Sequence, residues 1–108
     1  MELKVIKTRD GDLIPFDRTR IERVIEKATE SVGTSNPAFV DNITDNVLER
    51  LIDFLVNSEG EEFITVEFIQ DTVERELMES GNFDIMKHFI IYRNDRIKER
   101  LKQKEKVE

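Results

Sequence analysis

The stretch Leu3-Lys4-Val5-Ile6-Lys7-Thr8-Arg9-Asp10-Gly11-Asp12-Leu13-Ile14-Pro15-Phe16-Asp17 decides the fold. Up to Thr8, β-branched residues mix with polar ones, as on a strand with one wet face. Asp10-Gly11 gives a two-residue turn signal, because glycine accepts positive φ at little cost. Leu13-Ile14-Pro15-Phe16 reads as the returning strand. Pro15 has no N–H to give to a ladder and belongs at an edge or at the strand's end. Asp17 then stands where a helix N-cap belongs. A hairpin leading straight into a helix makes the chain α+β rather than all-α.

Outward from Asp17, the apolar residues fall at helical spacing. Ile21, Val24, Ile25, Ala28 and Val32 form one stripe, and Gly33 follows as the C′ residue. Asn36-Pro37 opens a second helix with the cap residue and then proline at the first turn. Its stripe is Val40, Ile43, Val47, Leu51, Phe54 and Leu55, and Asn57-Ser58-Glu59-Gly60 breaks it. Phe63-Ile64 reads as a short third strand beside the hairpin. Thr65 caps a third helix, with Glu67 in its first turn and Ile69, Val73 and Leu77 turned inward. After the turn Ser80-Gly81-Asn82, the last helix carries Phe83, Met86, Phe89, Ile90, Ile97 and Leu101. The reading is a four-helix bundle capped at one end by a small three-stranded sheet. Residues 1–101 form the domain, and the charged tail 102–108 is expected to fray.

Length and composition narrow the function classes. A chain of 108 residues is one domain. It has no cysteine, so disulfides, thiolate zinc sites and a cysteine nucleophile are excluded. No apolar run approaches the roughly 20 residues that span a bilayer, and the N-terminus lacks a secretory pattern. No membrane role and a cytoplasmic location are the expectation. The net charge of −7 argues against a nucleic-acid binder, whose footprint is basic. A single triphosphate is another matter, since it needs only two or three placed cations and some helix N-terminal amides.

Catalytic chemistry has little to stand on. His88 is the lone histidine and has no second catalytic group to work with, so it reads as a surface or boundary residue. The carboxylates are spread over helix faces, where they serve solvation and i,i+4 pairing. There is no GxxxxGK[ST] loop. The chain is read as non-enzymatic.

Three blocks in a fixed order carry a resemblance. The first is Lys7-Thr8-Arg9-Asp10-Gly11 followed by Pro15-Phe16-Asp17 and Arg20-Ile21. The second is Ile64-Thr65-Val66-Glu67 leading into Ile69-Gln70-Asp71 and Val73-Glu74. The third is Tyr92-Arg93 with Arg96 one turn later. Together they resemble the ATP-cone, the N-terminal regulatory domain of many ribonucleotide reductases and of the repressor of their genes. The resemblance runs from about Val5 to Arg96.

The resemblance implies a four-helix bundle under a three-stranded sheet, with the nucleotide between the sheet and the helix ends beneath it. It implies ATP or dATP as allosteric effector, accompanied by Mg2+, and no metal site of the protein's own. It makes the hairpin a lid that carries Arg9, Asp10 and Gly11, with Asp17 leading into the first helix. Arg20 is matched to a phosphate contact and Ile21 to the pocket wall. Val66 and Gln70 match positions near base and sugar, and Tyr92 and Arg96 match positions facing the ligand from the last helix. Where the family often has a lysine just before the turn, this chain has Thr8, with Lys7 one residue earlier. Either Thr8 supplies a hydroxyl or Lys7 takes over through a different register.

Residue chemistry supports part of this independently. Arg20 falls on a helix's first turn, where the dipole favours an anion. Arg9 adjoins a glycine turn able to fold over a ligand, and Tyr92 and Arg96 share a helical face. The resulting expectation is an allosteric domain controlling the activity or oligomeric state of a ribonucleotide reductase. It would act on a catalytic or radical-generating subunit, with self-association into a homo-oligomer as one outcome. The chain reads as the N-terminus of such a subunit rather than as a stand-alone cone. The rival is a ligand-free helical interaction module that uses the last helix as a dimer face and has no need of Arg9, Arg20 and Arg96.

Overall fold

The computed structural model describes residues 3–34, 36–58 and 63–106. Among them the chain order is β1 (Val5–Lys7), β2 (Leu13–Pro15), α1 (Arg18–Ser31), α2 (Pro37–Asn57), β3 (Ile64–Thr65), α3 (Val66–Glu79) and α4 (Phe83–Lys106). The architecture is the expected one, a four-helix bundle with a small three-stranded sheet.

The helix ends follow from local chemistry. Asp17 is extended at φ −133°, and its Oδ1 accepts the Thr19 N–H at 3.0 Å, which starts α1. Asn36 does the same for Phe39 at 3.1 Å, with Pro37 behind it. The Thr65 hydroxyl takes the Phe68 N–H at 3.0 Å. Gly33 ends α1 at φ +80°, a conformation that L side chains resist, and donates to the Glu30 carbonyl at 3.0 Å. Of the residues expected to break α2, Ser58 caps it, and Glu59 and Gly60 lie outside the described residues. Helix α4 continues through the charged segment as far as Lys106.

The hairpin differs from the two-residue turn its sequence suggests. Lys7 pairs with Leu13, so five residues separate the strands. The Gly11 N–H reaches the Thr8 carbonyl at 3.0 Å, and the Thr8 N–H reaches the Asp12 carbonyl at 2.8 Å. The connection is therefore three residues, Arg9-Asp10-Gly11, with Gly11 at φ +91° closing a turn-plus-bulge. The Thr8 hydroxyl decides the matter by accepting the Asp12 N–H at 3.1 Å.

β1 is the central strand, in the order β2-β1-β3. It pairs antiparallel with β2 and parallel with β3, where Ile6 faces Ile64 and Lys7 faces Thr65. A parallel pair needs a long crossover, and α1 and α2 supply it. The inner face of the sheet gives Ile6 and Ile64 to the core, with Leu3 just before β1.

In the bundle each helix packs on two others, α1 on α2 and α4, and α3 on α2 and α4. Ile25, Ile43, Leu51, Leu77 and Phe89 are fully buried, and each removes apolar area worth about 1.5–3 kcal/mol. Buried Thr29, Thr44 and Thr72 return their hydroxyls to carbonyls three or four residues back. On α4 the buried residues are Ile85 and Phe89, whereas Phe83 and Leu101 are exposed. Phe83 begins the helix at the rim. Leu101 lies on a 24-residue helix, beyond the reach of the 14-residue α1 and α3.

A cation bridges each helix seam. Arg18 joins Glu22 on α1 to Asp41 and Asp45 on α2, at 2.6–2.7 Å. Arg50 of α2 holds Glu76 and Glu79 of α3. Arg93 of α4 holds Asp71 and Glu74 of α3, both at 2.8 Å. The fourth seam has the Lys27 ammonium of α1 at 5.2 Å from the Tyr92 ring centre on α4. The carboxylates of Glu22, Asp45 and Asp41 hold the Arg18 guanidinium more firmly protonated than usual. Burial works against Arg93, and its bonds to Glu74 and Asp71 outweigh it, leaving its pKa raised.

Candidate functional site

The parallel register between β1 and β3 builds the site. With Lys7 opposite Thr65, the next residues on each chain diverge into the hairpin turn and the first turn of α3. Between them lies a groove of about 410 Å³, lined by Lys7, Thr8, Arg9, Asp10, Gly11, Thr65, Val66 and Glu67. First-turn amides have no carbonyl four residues back, so a helix N-terminus favours anions. Helix α3 enters the groove at that end, and Lys7 and Arg9 bring cations from the facing wall.

The groove thus unites the hairpin residues expected from the first block with Val66 from the second. The hydroxyl oxygen of half-buried Thr8 accepts the Asp12 N–H, which leaves its own O–H free to donate. Lys7 is exposed beside Leu13, on the sheet face opposite Ile6. Of the two residues weighed for the grip before the turn, Thr8 braces the turn and still has its O–H to give, and Lys7 makes no ion pair among the described residues.

Arg20, Ile21, Gln70, Tyr92 and Arg96 do not line this groove. Arg20 is exposed on the first turn of α1, and Ile21 next to it is buried in the core at 5% exposure. Gln70 is half-buried on the second turn of α3. Tyr92 is half-buried, with Lys27 over its ring, and Arg96 is exposed one turn further along α4. Among the described residues neither Arg20 nor Arg96 is engaged in an ion pair. Asp17 is occupied as a cap. The Thr19 hydroxyl at 2.6 Å and the Thr19 amide hold its carboxyl below the usual carboxylate range, with Arg20 and Arg23 adding to the effect. Phe16 packs against the core.

Sequence reasoning missed two residues of the groove, Thr65, expected only as the cap of α3, and Glu67. Glu67 was expected only as a first-turn acid complementing the helix dipole, yet its Oε1 lies 2.8 Å from Arg9 Nε. Arg9 and Glu67 are 58 positions apart, and only the parallel register, which has no local sequence signal, brings them together.

Comparison with known proteins gives the family. A family model described as the ATP cone domain matches residues 3–98. The chain is 36% identical over 96 residues to a ribonucleoside-diphosphate reductase subunit alpha of Chlamydia pneumoniae, covering 85% of this chain and 9% of that protein. It is 35% identical over 91 residues to a vitamin B12-dependent ribonucleoside-diphosphate reductase of Mycobacterium tuberculosis, covering 84% and 12%. A subunit alpha of Treponema pallidum is 35% identical over 103 residues, covering 92% and 12%. The chain spans about a tenth of the length of these curated relatives. On the match over residues 3–98, and with the hairpin and α3 motifs facing each other across one groove, the chain belongs to the ATP-cone domain family.

Proposed function

We propose that the domain is an allosteric nucleotide switch. It binds ATP or dATP, accompanied by Mg2+, between the Arg9-Asp10-Gly11 hairpin and the N-terminus of α3. Through that binding it controls the activity or oligomeric state of a ribonucleotide reductase alpha subunit. One observation carries the reading: in a chain of this family, the Lys7–Thr65 register sets two hairpin cations against the anion-favouring end of a helix. The phosphates occupy this groove, with Lys7 and Arg9 as counter-charges and Asp10-Gly11 as the lid tip. Arg20, which forms no ion pair among the described residues, completes the phosphate shell. Val66 and Gln70, on successive turns of α3, receive base and sugar, and Tyr92 and Arg96 close the α4 side. ATP and dATP differ only at the 2′ position. A polar group left unpaired there discriminates on the order of 1 kcal/mol or more, and such differential contact is what a switch requires.

Titration calorimetry with ATP, dATP and GTP in the presence of Mg2+ tests the reading. The expected outcome is adenine-selective binding with a dissociation constant on the order of micromolar, lost in Arg20→Ala. Absence of binding to all three nucleotides contradicts it. The interaction-module alternative draws on the exposed Ile91 and Leu101 of α4. It predicts self-association that is indifferent to nucleotide and to replacement of Arg9, Arg20 and Arg96.

A further inference from the structure

Among the described residues, the arginines whose ion pairs link separate elements fall into two kinds. Arg18, Arg50 and Arg93 each hold two or more carboxylates across a helix seam. Arg9 holds a single one, Glu67, and this pair crosses the groove from the lid to α3. Both side chains are substantially exposed, Arg9 at 36% and Glu67 at 52%. An exposed single pair of this kind is weak. The turn that carries Arg9 is itself stiff, because Thr8 and Asp12 tie its base with both a carbonyl and a hydroxyl acceptor. The nearest ladder contact to α3 is two residues back on each chain, at Lys7 and Thr65. The hairpin tip therefore moves as one piece, and Arg9–Glu67 is its ion-pair tie to the helix.

Glu67 also occupies the place an anion would choose. It sits in the first turn of α3, where the dipole favours negative charge, and it already engages a groove cation. We propose that Glu67 is the latch of the lid. Its carboxylate holds Arg9, draws the turn onto α3 while no nucleotide is bound, and lowers the affinity of the groove by competing with the ligand's phosphates for one guanidinium. Nucleotide entry then exchanges one anionic partner of Arg9 for another. The competition rests on the groove being the nucleotide site; the latch itself does not.

Two measurements on Glu67→Gln, which keeps size and removes charge, test this. In hydrogen exchange without nucleotide, the Arg9–Asp12 amides should exchange faster in the variant while the helical amides are unchanged. Equal exchange in the two proteins overturns the latch. In calorimetry with Mg-ATP, Glu67→Gln should bind about two- to fivefold tighter, the size of one exposed ion pair. In an Arg9→Ala background the same substitution should have no such effect. Weaker binding, or an equal gain in both backgrounds, overturns the competition, because Glu67 would then act as a ligand contact or as an independent charge. If the unaltered protein binds no adenine nucleotide, the functional reading fails, and the exchange result alone decides the latch.

Discussion

One groove, of about 410 Å³, lies at the start of α3 beside the hairpin, and another, of about 400 Å³, lies beside the turn that follows α3. By the helical rise they lie about 20 Å apart. The far groove is lined by Thr29, Val32, Thr34, Asn36, Phe39 and residues 81–85, and among the described residues Asp84 is its only charge. Its hydroxyl and amide side chains make hydrogen bonds, while Asp84 makes no ion pair among the described residues. Thr29 bonds the Glu26 carbonyl, Thr34 bonds that of Thr29, Asn36 caps α2, and Asn82 bonds Ser80. The hairpin groove carries Lys7, Arg9, Asp10 and Glu67, with only Arg9 and Glu67 paired among the described residues. Volume does not separate the two. Cationic charge beside the start of a helix does.

The sharpest way to break this contrast is to remove a cation from one side. Arg9→Ala should weaken Mg-ATP binding about tenfold or more, the cost of a charge-assisted contact, with the melting temperature nearly unchanged. Asp84→Asn in the far groove should leave the affinity as it was. If the two variants have equal effects in calorimetry, the assignment of the grooves is wrong.

A matched pair of glycines sharpens it further. Gly11 and Gly81 have φ of +91° and +80°, and a Cβ at either would meet nothing within 4 Å. Alanine at each therefore costs only backbone strain, roughly 1 kcal/mol or somewhat more. Thermal unfolding should show similar losses. Only Gly11→Ala should also reduce nucleotide affinity, because only that turn is proposed as the lid.

The smallest effect is in pH. Helix α1 is capped by a carboxylate, Asp17, and α2 by an amide, Asn36. The Asp17 pKa is lowered in the folded protein by its bonds to Thr19. Its contribution is therefore complete above the unfolded carboxylate value, about 3.9. It disappears as pH falls through the lowered folded value. On acidification the amides of Thr19 and Arg20 should lose protection before that of Phe39, as followed by NMR. Simultaneous loss would show that the Asp17 cap is immaterial.

What the sequence made legible was whatever is local. The caps Asp17, Asn36 and Thr65 and the C′ glycine Gly33 stand where their neighbours place them, because each acts within four residues. The inward stripes of α1 to α3 followed from helical period alone. The length of the hairpin connection was missed, because Asp10-Gly11 suits a two-residue loop and a three-residue one equally, and the Thr8 hydroxyl settles it. On α4 the pattern marks Phe83 and Leu101 as apolar, but neighbours to bury them depend on the lengths of the other helices. The site was half legible. Motif residues 7–11 and Val66 meet in one groove, and Glu67 entered it through a parallel pairing that no neighbouring residue encodes.

The most direct test of the central claim is an amide NMR titration of the protein with Mg-ATP. The account predicts shifts concentrated at residues 7–12 and 65–70, with Arg20 and Tyr92 joining them, and none at Thr34 or residues 81–85. Shifts confined to the far groove, or none at saturating nucleotide, would contradict it.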